Sequence, residues 1–382
     1  MQALGVVIAL AMIAGILVDA FESILLPRRI SHSFRLARIY YRSTWLSWRW
    51  AARRLPAGRR RNAFFSYFGP LSLFGLLCVW AVGLIVAFAL LHWSLGTELS
   101  FVYEPRNRFF TYVYFSGTTF LTLGYGDLVP VRPFGRMLSV AEAGIGFGFL
   151  AVVLSYLPVL YQSFSRRETT ISLLDARAGS PPTAGELLRR LGAGGNLKAI
   201  NSLLVEWERW AAELLENHVS FPVLRFYRSQ HDNQSWLGAL TTVLDTSALL
   251  IAGVDCSDDY QARLTFAIAR HAAVDLGLVT KTRPKAPEPD RLPPDELARL
   301  LTMLSEAGLP MHDVAATGKA LGELRALYEP FVNALATDLE LTIPPFQPSK
   351  PPVDNWQTSP WMPRSPTLTD LPGAAVEDTH LD

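Results

Sequence analysis

Cysteine is nearly absent: the 382-residue chain has two, Cys78 and Cys256, far apart in sequence. That count excludes a disulfide framework and a cysteine-based metal site. Charged residues are also scarce, 18% of the chain, against about 25% in ordinary soluble domains. A formal net charge of +1 leaves no basic surplus of the kind nucleic-acid binding needs, so no nucleic-acid partner is expected. Between Arg28 and Arg61 acidic residues are missing altogether, while arginine occurs eleven times. In a membrane protein such a one-signed block stays on the cytoplasmic face.

What is abundant is apolar sequence. Half the residues are hydrophobic, the mean hydropathy is +0.20, and three runs, 4–26, 69–93 and 135–164, reach the roughly 20 residues that cross a bilayer. The expected class is an all-α membrane protein: a two-helix-plus-pore-loop module with one extra N-terminal transmembrane helix and an α-helical cytosolic domain. Its parts read as an N-terminal transmembrane helix (1–27), a basic interfacial segment (28–68), a pore domain (69–165), a cytosolic helical domain (166–280), a proline-rich linker (281–294), a helical hairpin (295–343) and a disordered tail (344–382).

Between the second and third apolar runs the chain is too short to cross twice. It reads as an exposed turret over 98–107, a helix over 108–121 capped by Asn107, and then Thr119-Phe-Leu-Thr122-Leu123-Gly124-Tyr125-Gly126-Asp127. A bare cation needs oxygens at fixed spacing, and successive backbone carbonyls face one axis only in conformations that ordinary L-residues avoid. Gly124 and Gly126 lift that restriction. The string resembles the selectivity-filter signature of the potassium channel superfamily, in its bacterial single-pore-loop form, and the resemblance covers 69–164.

The resemblance implies that K+ permeates past the carbonyls of Thr122, Leu123, Gly124 and Tyr125, with Gly126 completing the loop and no resident cofactor. It also implies filter support from Asp127 and Thr119, and from Tyr114 and Phe115 as an aromatic brace around Tyr125. Leu123 departs from the usual valine or isoleucine, and Leu121 from a frequent threonine. One filter per chain calls for a homotetramer. A weakly selective cation channel is the nearest alternative, and a membrane-anchored signalling protein whose cytosolic half carries the activity is another. No enzymatic function is expected of the pore.

Within the third run, Glu142 is an ionisable residue at membrane depth, where it needs a partner. It either hydrogen-bonds near Ser116, Thr118 or Thr119 as a support behind the filter, or faces the cavity. Gly144, Gly146 and Gly148 serve either close packing or a gating hinge, and Pro158 marks a second bend point. Arginines alternating with aromatic residues over 35–53 suggest a basic amphipathic helix lying in the cytoplasmic interface, where anionic lipid binds. Voltage sensing is the weaker reading, since only one span precedes it.

The arginine block fixes an expected topology: cell membrane, multi-pass, the bacterial inner membrane, with the N-terminus outside and the C-terminus cytoplasmic. A cleaved signal peptide at the N-terminus is the rival, and it lacks a basic leading region. In the cytosolic half, Thr183 and Glu186 have capping-box spacing, and 197–215 has helical periodicity. The run 236–254 reads as a buried soluble helix rather than a fourth span. The glycines at 192–195 imitate a dinucleotide fingerprint without its strand, and His218, His231, Asp232 and Asp275 weakly imitate a phosphohydrolase set. The domain's ligand is left unassigned.

Overall fold

The computed structural model describes residues 2–24, 35–101, 108–192, 197–230, 233–255 and 258–348. They form two compact units, 1–162 and 163–382.

The first unit opens with α1 (Gln2–Ile24) and α2 (Leu36–Ala52). α3 (Arg59–Ser94) follows, then β1 (Leu99–Phe101), α4 (Arg108–Phe120), β2 (Leu128–Pro130) and α5 (Pro133–Ala178), whose last residues belong to the second unit. α1 runs antiparallel to α3: a Cβ on Gly5 would strike Ser94, and one on Gly83 would meet Ile16. Further along, Trp80 Nε1 donates to Asp19 Oδ2 at 2.9 Å. Glycines allow this close approach, which in lipid must supply the packing energy that water-driven burial does not. Ala9, Leu84, Phe88 and Leu91 fill the seam together with Phe120 from α4.

At 36 residues α3 is about 54 Å long, well beyond the roughly 30 Å of a hydrocarbon core. The surplus corrects the expectation of an interfacial helix lying flat. α2 instead runs antiparallel along the N-terminal half of α3. Ala37 packs with Leu76, Leu77 and Trp80, Trp45 meets Phe68 at 4.9 Å, and Trp48 stacks on Phe64 at 4.5 Å. Of the aromatic residues that suggested a headgroup belt, Trp45 and Trp48 are spent on this hairpin, while Trp50 stays 60% exposed. Asp19 accepts from the Ala37 backbone N–H at 3.1 Å, capping an α2 whose own N-cap residue, Arg35, makes no side-chain cap bond. Arg35 turns to Glu22 and Ser23; Arg28 and Arg29 lie outside the described residues.

The second unit contains α6 (Ala184–Gly192), α7 (Leu197–Ser220), α8 (Trp236–Gly253), α9 (Tyr260–Thr280), α10 (Pro294–Glu306), α11 (Val314–Ala326) and α12 (Glu329–Leu339). α8 is long and apolar enough to cross a membrane, yet 94% of its apolar window is covered by its own fold. It is the centre of a helical bundle, as expected. Three expectations are corrected. The linker at 281–294 carries Arg291 into the core, where it meets Asp245 Oδ2 at 2.6 Å and Glu329 Oε1 at 2.8 Å. The hairpin expected over 295–343 has three helices, α10, α11 and α12, because Pro330 cannot donate to the preceding turn and divides the second arm. The tail stays packed as far as Phe346, 1% exposed, whose carbonyl accepts from Gly185 N at 2.7 Å; 349–382 lie outside the described residues.

Candidate functional site

α4 is thirteen residues, about 20 Å, and so reaches half way through a bilayer. Asn107, its expected cap, lies outside the described residues. At its other end the chain leaves the helix while keeping its amides bonded backwards. Leu121 N donates to Gly117 O at 3.0 Å, Thr122 N to Thr119 O at 3.0 Å, and Leu123 N and Gly124 N both to Thr118 O at 2.8 and 3.2 Å. The otherwise orphan carbonyls of Gly117, Thr118 and Thr119 at the helix end are thereby satisfied. The carbonyls from Thr122 to Gly126 accept no backbone hydrogen bond among the described residues.

Backbone handedness alternates along the same loop. Thr122 has φ 56°, Gly124 56° and Gly126 78°, and Leu123 and Tyr125 between them lie outside this left-handed region. Alternating handedness turns successive peptide planes so that N–H groups gather on one side and carbonyls on the other. This is the geometry a row of cation-binding oxygens needs. For glycine it costs little. For β-branched Thr122 it is an outlier, which the sequence pattern did not signal.

The outer end of the loop is tied down twice. Tyr114 Oη donates to Asp127 Oδ2 at 2.9 Å, and β1 pairs antiparallel with β2, Leu99 opposite Pro130 and Phe101 opposite Leu128. The ladder makes residues 99–101 of the expected turret a strand; 102–107 lie outside the described residues. Arg132 reaches Glu98 at 2.6 Å and holds its carboxyl below the usual range through that hydrogen bond. The pair is exposed, so it orients the rim more than it stabilises it.

Behind α4, Glu142 from α5 is fully buried and hydrogen-bonded with Ser116 Oγ. Of the two orientations open to it, this is the one facing the pore helix. His92 of α3, also fully buried, brings Nε2 to 3.3 Å from Glu142 Oε2 and Nδ1 to 3.1 Å from Thr97 Oγ1. Sequence reasoning missed His92; the available signal was that Glu142 required a partner at membrane depth. Phe115 is buried edge-on against His92, centroids 5.2 Å apart, so it packs toward α3. Thr119 spends its hydroxyl on the Phe115 carbonyl at 2.8 Å. Gly146 is pressed against the Phe120 carbonyl, whereas a Cβ on Gly144 or Gly148 would meet nothing within 4 Å. Pro158 lies inside the continuous α5.

Of the phosphohydrolase-like residues, the two described ones are engaged with other groups. His218 is buried against Arg167 and the Leu214 carbonyl, Asp275 lies 3.7 Å from His271 one turn away, and His231 and Asp232 are outside the described residues. Among the described residues no three metal-binding side chains converge. Gly192 ends α6, as a helix terminator does. The capping box is half made: Glu186 N donates to Thr183 Oγ1 at 3.4 Å, while the Glu186 carboxylate takes Arg189 and Arg190.

Residues 75–162 match the family described as ion channel. A protein described as an uncharacterised membrane protein, YdjJ of Bacillus subtilis (strain 168), is 27% identical over 282 residues, 69% of this chain and 75% of its own length. No solved structure matches the chain. Residues 75–162, two long helices flanking a short helix and its loop, are thus similar to the ion channel family.

Proposed function

We propose that the protein is a potassium-selective channel, a homotetramer that conducts K+ passively through a filter made of the Thr122, Leu123, Gly124 and Tyr125 carbonyls. The observation that carries this reading is the alternating handedness at Thr122, Gly124 and Gly126, in a loop where the amides of Leu121 through Gly124 are bonded backwards. Such a loop offers a row of carbonyl oxygens to a cation.

Assembly is supported by exposure. Leu121, Leu123 and Tyr125 are 55%, 53% and 68% exposed in the single chain, and irregular backbone at membrane depth is tolerated only under protein or beside water. Four copies around an axis would cover these side chains and complete each carbonyl ring. The membrane is proposed to be the bacterial inner membrane. The arginine block faces the cytoplasm and binds anionic lipid, and the N-terminus lies outside with the filter mouth. The second unit is then cytoplasmic.

The test is reconstitution of purified protein in a planar bilayer with opposed K+ and Na+ gradients. A reversal potential near the K+ equilibrium value, abolished with the current in Gly126→Ala, is the expected result. A reversal potential that scarcely moves with the K+ gradient would establish the weakly selective alternative. Current indifferent to Gly126→Ala would remove the filter from the pathway.

A further inference from the structure

The polar contacts behind the filter obey a strict proton count. Ser116 Oγ lies 2.8 Å from the Ile85 carbonyl and is also hydrogen-bonded with Glu142 Oε1. A hydroxyl has one hydrogen, which cannot serve two acceptors. Both contacts close if the hydrogen between Ser116 and Glu142 belongs to the carboxyl: Glu142 donates to Ser116 Oγ, and Ser116 donates to Ile85 O. Glu142 Oε2 is then a carbonyl-like acceptor facing His92 Nε2, which carries the ring hydrogen, and His92 Nδ1 is free to accept from Thr97 Oγ1 at 3.1 Å. The His92 to Glu142 contact, 3.3 Å and off good hydrogen-bond geometry, is the weakest link.

The alternative, an imidazolium beside a carboxylate, would take the Ser116 hydrogen from Ile85. It would also place a full ion pair where His92, Ser116 and Glu142 are all 0% exposed, the situation in which desolvation outweighs attraction.

We propose that His92 and Glu142 are positioning residues for the filter, joined in one neutral, one-directional chain from Thr97 through His92, Glu142 and Ser116 to the Ile85 carbonyl. The chain links α5 to the middle of α4, anchors both to α3 at Ile85 and His92, and ends at Thr97, just ahead of the β1 strand that steadies the outer loop. The filter hangs from the same helix, because Thr118 O holds the amides of Leu123 and Gly124. A rotation of α5 at Glu142 therefore moves α4, and α4 moves the filter amides. Regulation follows from that linkage: the chain sets how long the filter stays conductive and leaves its ion preference unchanged.

This inference rests on the channel reading, and its test separates the two. Sustained K+ current and reversal potential are measured on reconstituted full-length protein carrying Glu142→Gln, Glu142→Leu or His92→Leu. A glutamine amide can donate to Ser116 and accept from His92, so Glu142→Gln should keep sustained current within about twofold of the native protein. Glu142→Leu and His92→Leu should shorten the conductive state by roughly tenfold with an unchanged reversal potential. Sustained current as long as the native in both leucine variants, or Glu142→Gln as impaired as Glu142→Leu, overturns the proposal. Infrared difference spectra of native and Glu142→Gln protein provide a readout independent of conduction. A carboxylic-acid C=O band present only in the native protein supports the chain, and a carboxylate band in its place refutes it, even if the leucine variants do not fold or the native protein passes no current.

Discussion

Tyr114 and Asp127 lie thirteen residues apart and share one hydrogen bond of 2.9 Å, phenol to carboxylate. The filter loop leaves the C-terminal end of α4 and is returned by this bond to the middle of the same helix. Both ends of the carbonyl row are thus referred to one rigid element. Removing the hydroxyl by Tyr114→Phe keeps the ring and deletes about 1 kcal/mol of restraint. Single-channel records should show the conductive state decaying roughly fivefold faster, with the reversal potential unmoved. Unaltered dwell times would mean that the β1 to β2 ladder alone holds the outer end.

The three glycines of α5 have different surroundings, which gives them different predicted behaviour. A methyl at Gly146 would be driven into the Phe120 carbonyl, a backbone atom that cannot swing aside. Gly146→Ala should therefore cost about 1–3 kcal/mol as an overpacking change and lower the thermal midpoint of the detergent-solubilised protein. Gly144→Ala and Gly148→Ala have open space and should leave that midpoint unchanged. If either of those two nevertheless alters open probability, the effect is on bending of the helix. Equal destabilisation by all three would mean that the close approach at Gly146 is not special.

In the second unit, the prediction concerns charge burial. Arg291 Nη2 holds Asp245 at 2.6 Å and Nη1 holds Glu329 at 2.8 Å, and Tyr328 Oη donates to the same Asp245 at 2.5 Å. Arg291→Met leaves two buried carboxylates without their shared cation and should destabilise the bundle by about 3–5 kcal/mol. Adding Asp245→Leu removes most of the stranded charge and should recover part of the loss. Limited proteolysis of the full chain is the direct measurement: rapid cleavage in the single variant, slower in the double. Equal resistance of native and single-variant protein would show the network to be dispensable.

How much of this was legible beforehand depended on the range of the interaction. The filter loop was readable because Gly124 and Gly126 announce their conformation within a few residues, and the membrane runs because hydropathy is a local sum. Thr122 was not, since its left-handed backbone is imposed by two amides bonding to Thr118 O. α2 was assigned to the interface from its own amphipathic face. Its partner, the aromatic wall at Phe64, Phe65 and Phe68, exists only because α3 starts ten residues before the apolar run does. His92 was missed because it is the distant half of a pair whose acidic member, Glu142, was noticed alone, and Arg291 because its partner Asp245 is one acidic residue inside an apolar run 46 residues away. A buried carboxyl states that a partner exists and does not say where in the chain it is.

His218 supplies the last prediction, and its sign follows from burial. The ring is 2% exposed, packed 4.7 Å from the Trp236 ring, with Nδ1 donating to the Leu214 carbonyl at 2.7 Å and Arg167 Nη1 beside Nε2. Burial first, and the neighbouring Arg167 charge second, lower its pKa from 6.5 to about 3. The folded unit therefore keeps the imidazole neutral across a range in which the unfolded chain protonates it. Above pH 6.5 both states are neutral and nothing is lost; as pH falls from 6.5 toward 3, proton uptake favours the unfolded chain. At pH 5 the deficit amounts to about 2 kcal/mol. Thermal unfolding of the full chain, followed by helical circular dichroism at pH 7 and pH 5, should show a drop in the native protein's midpoint. In His218→Gln, where an amide oxygen can still accept from Arg167 and no proton is taken up, the drop should be smaller. Parallel drops in the two proteins would assign the acid sensitivity to carboxylates elsewhere in the bundle.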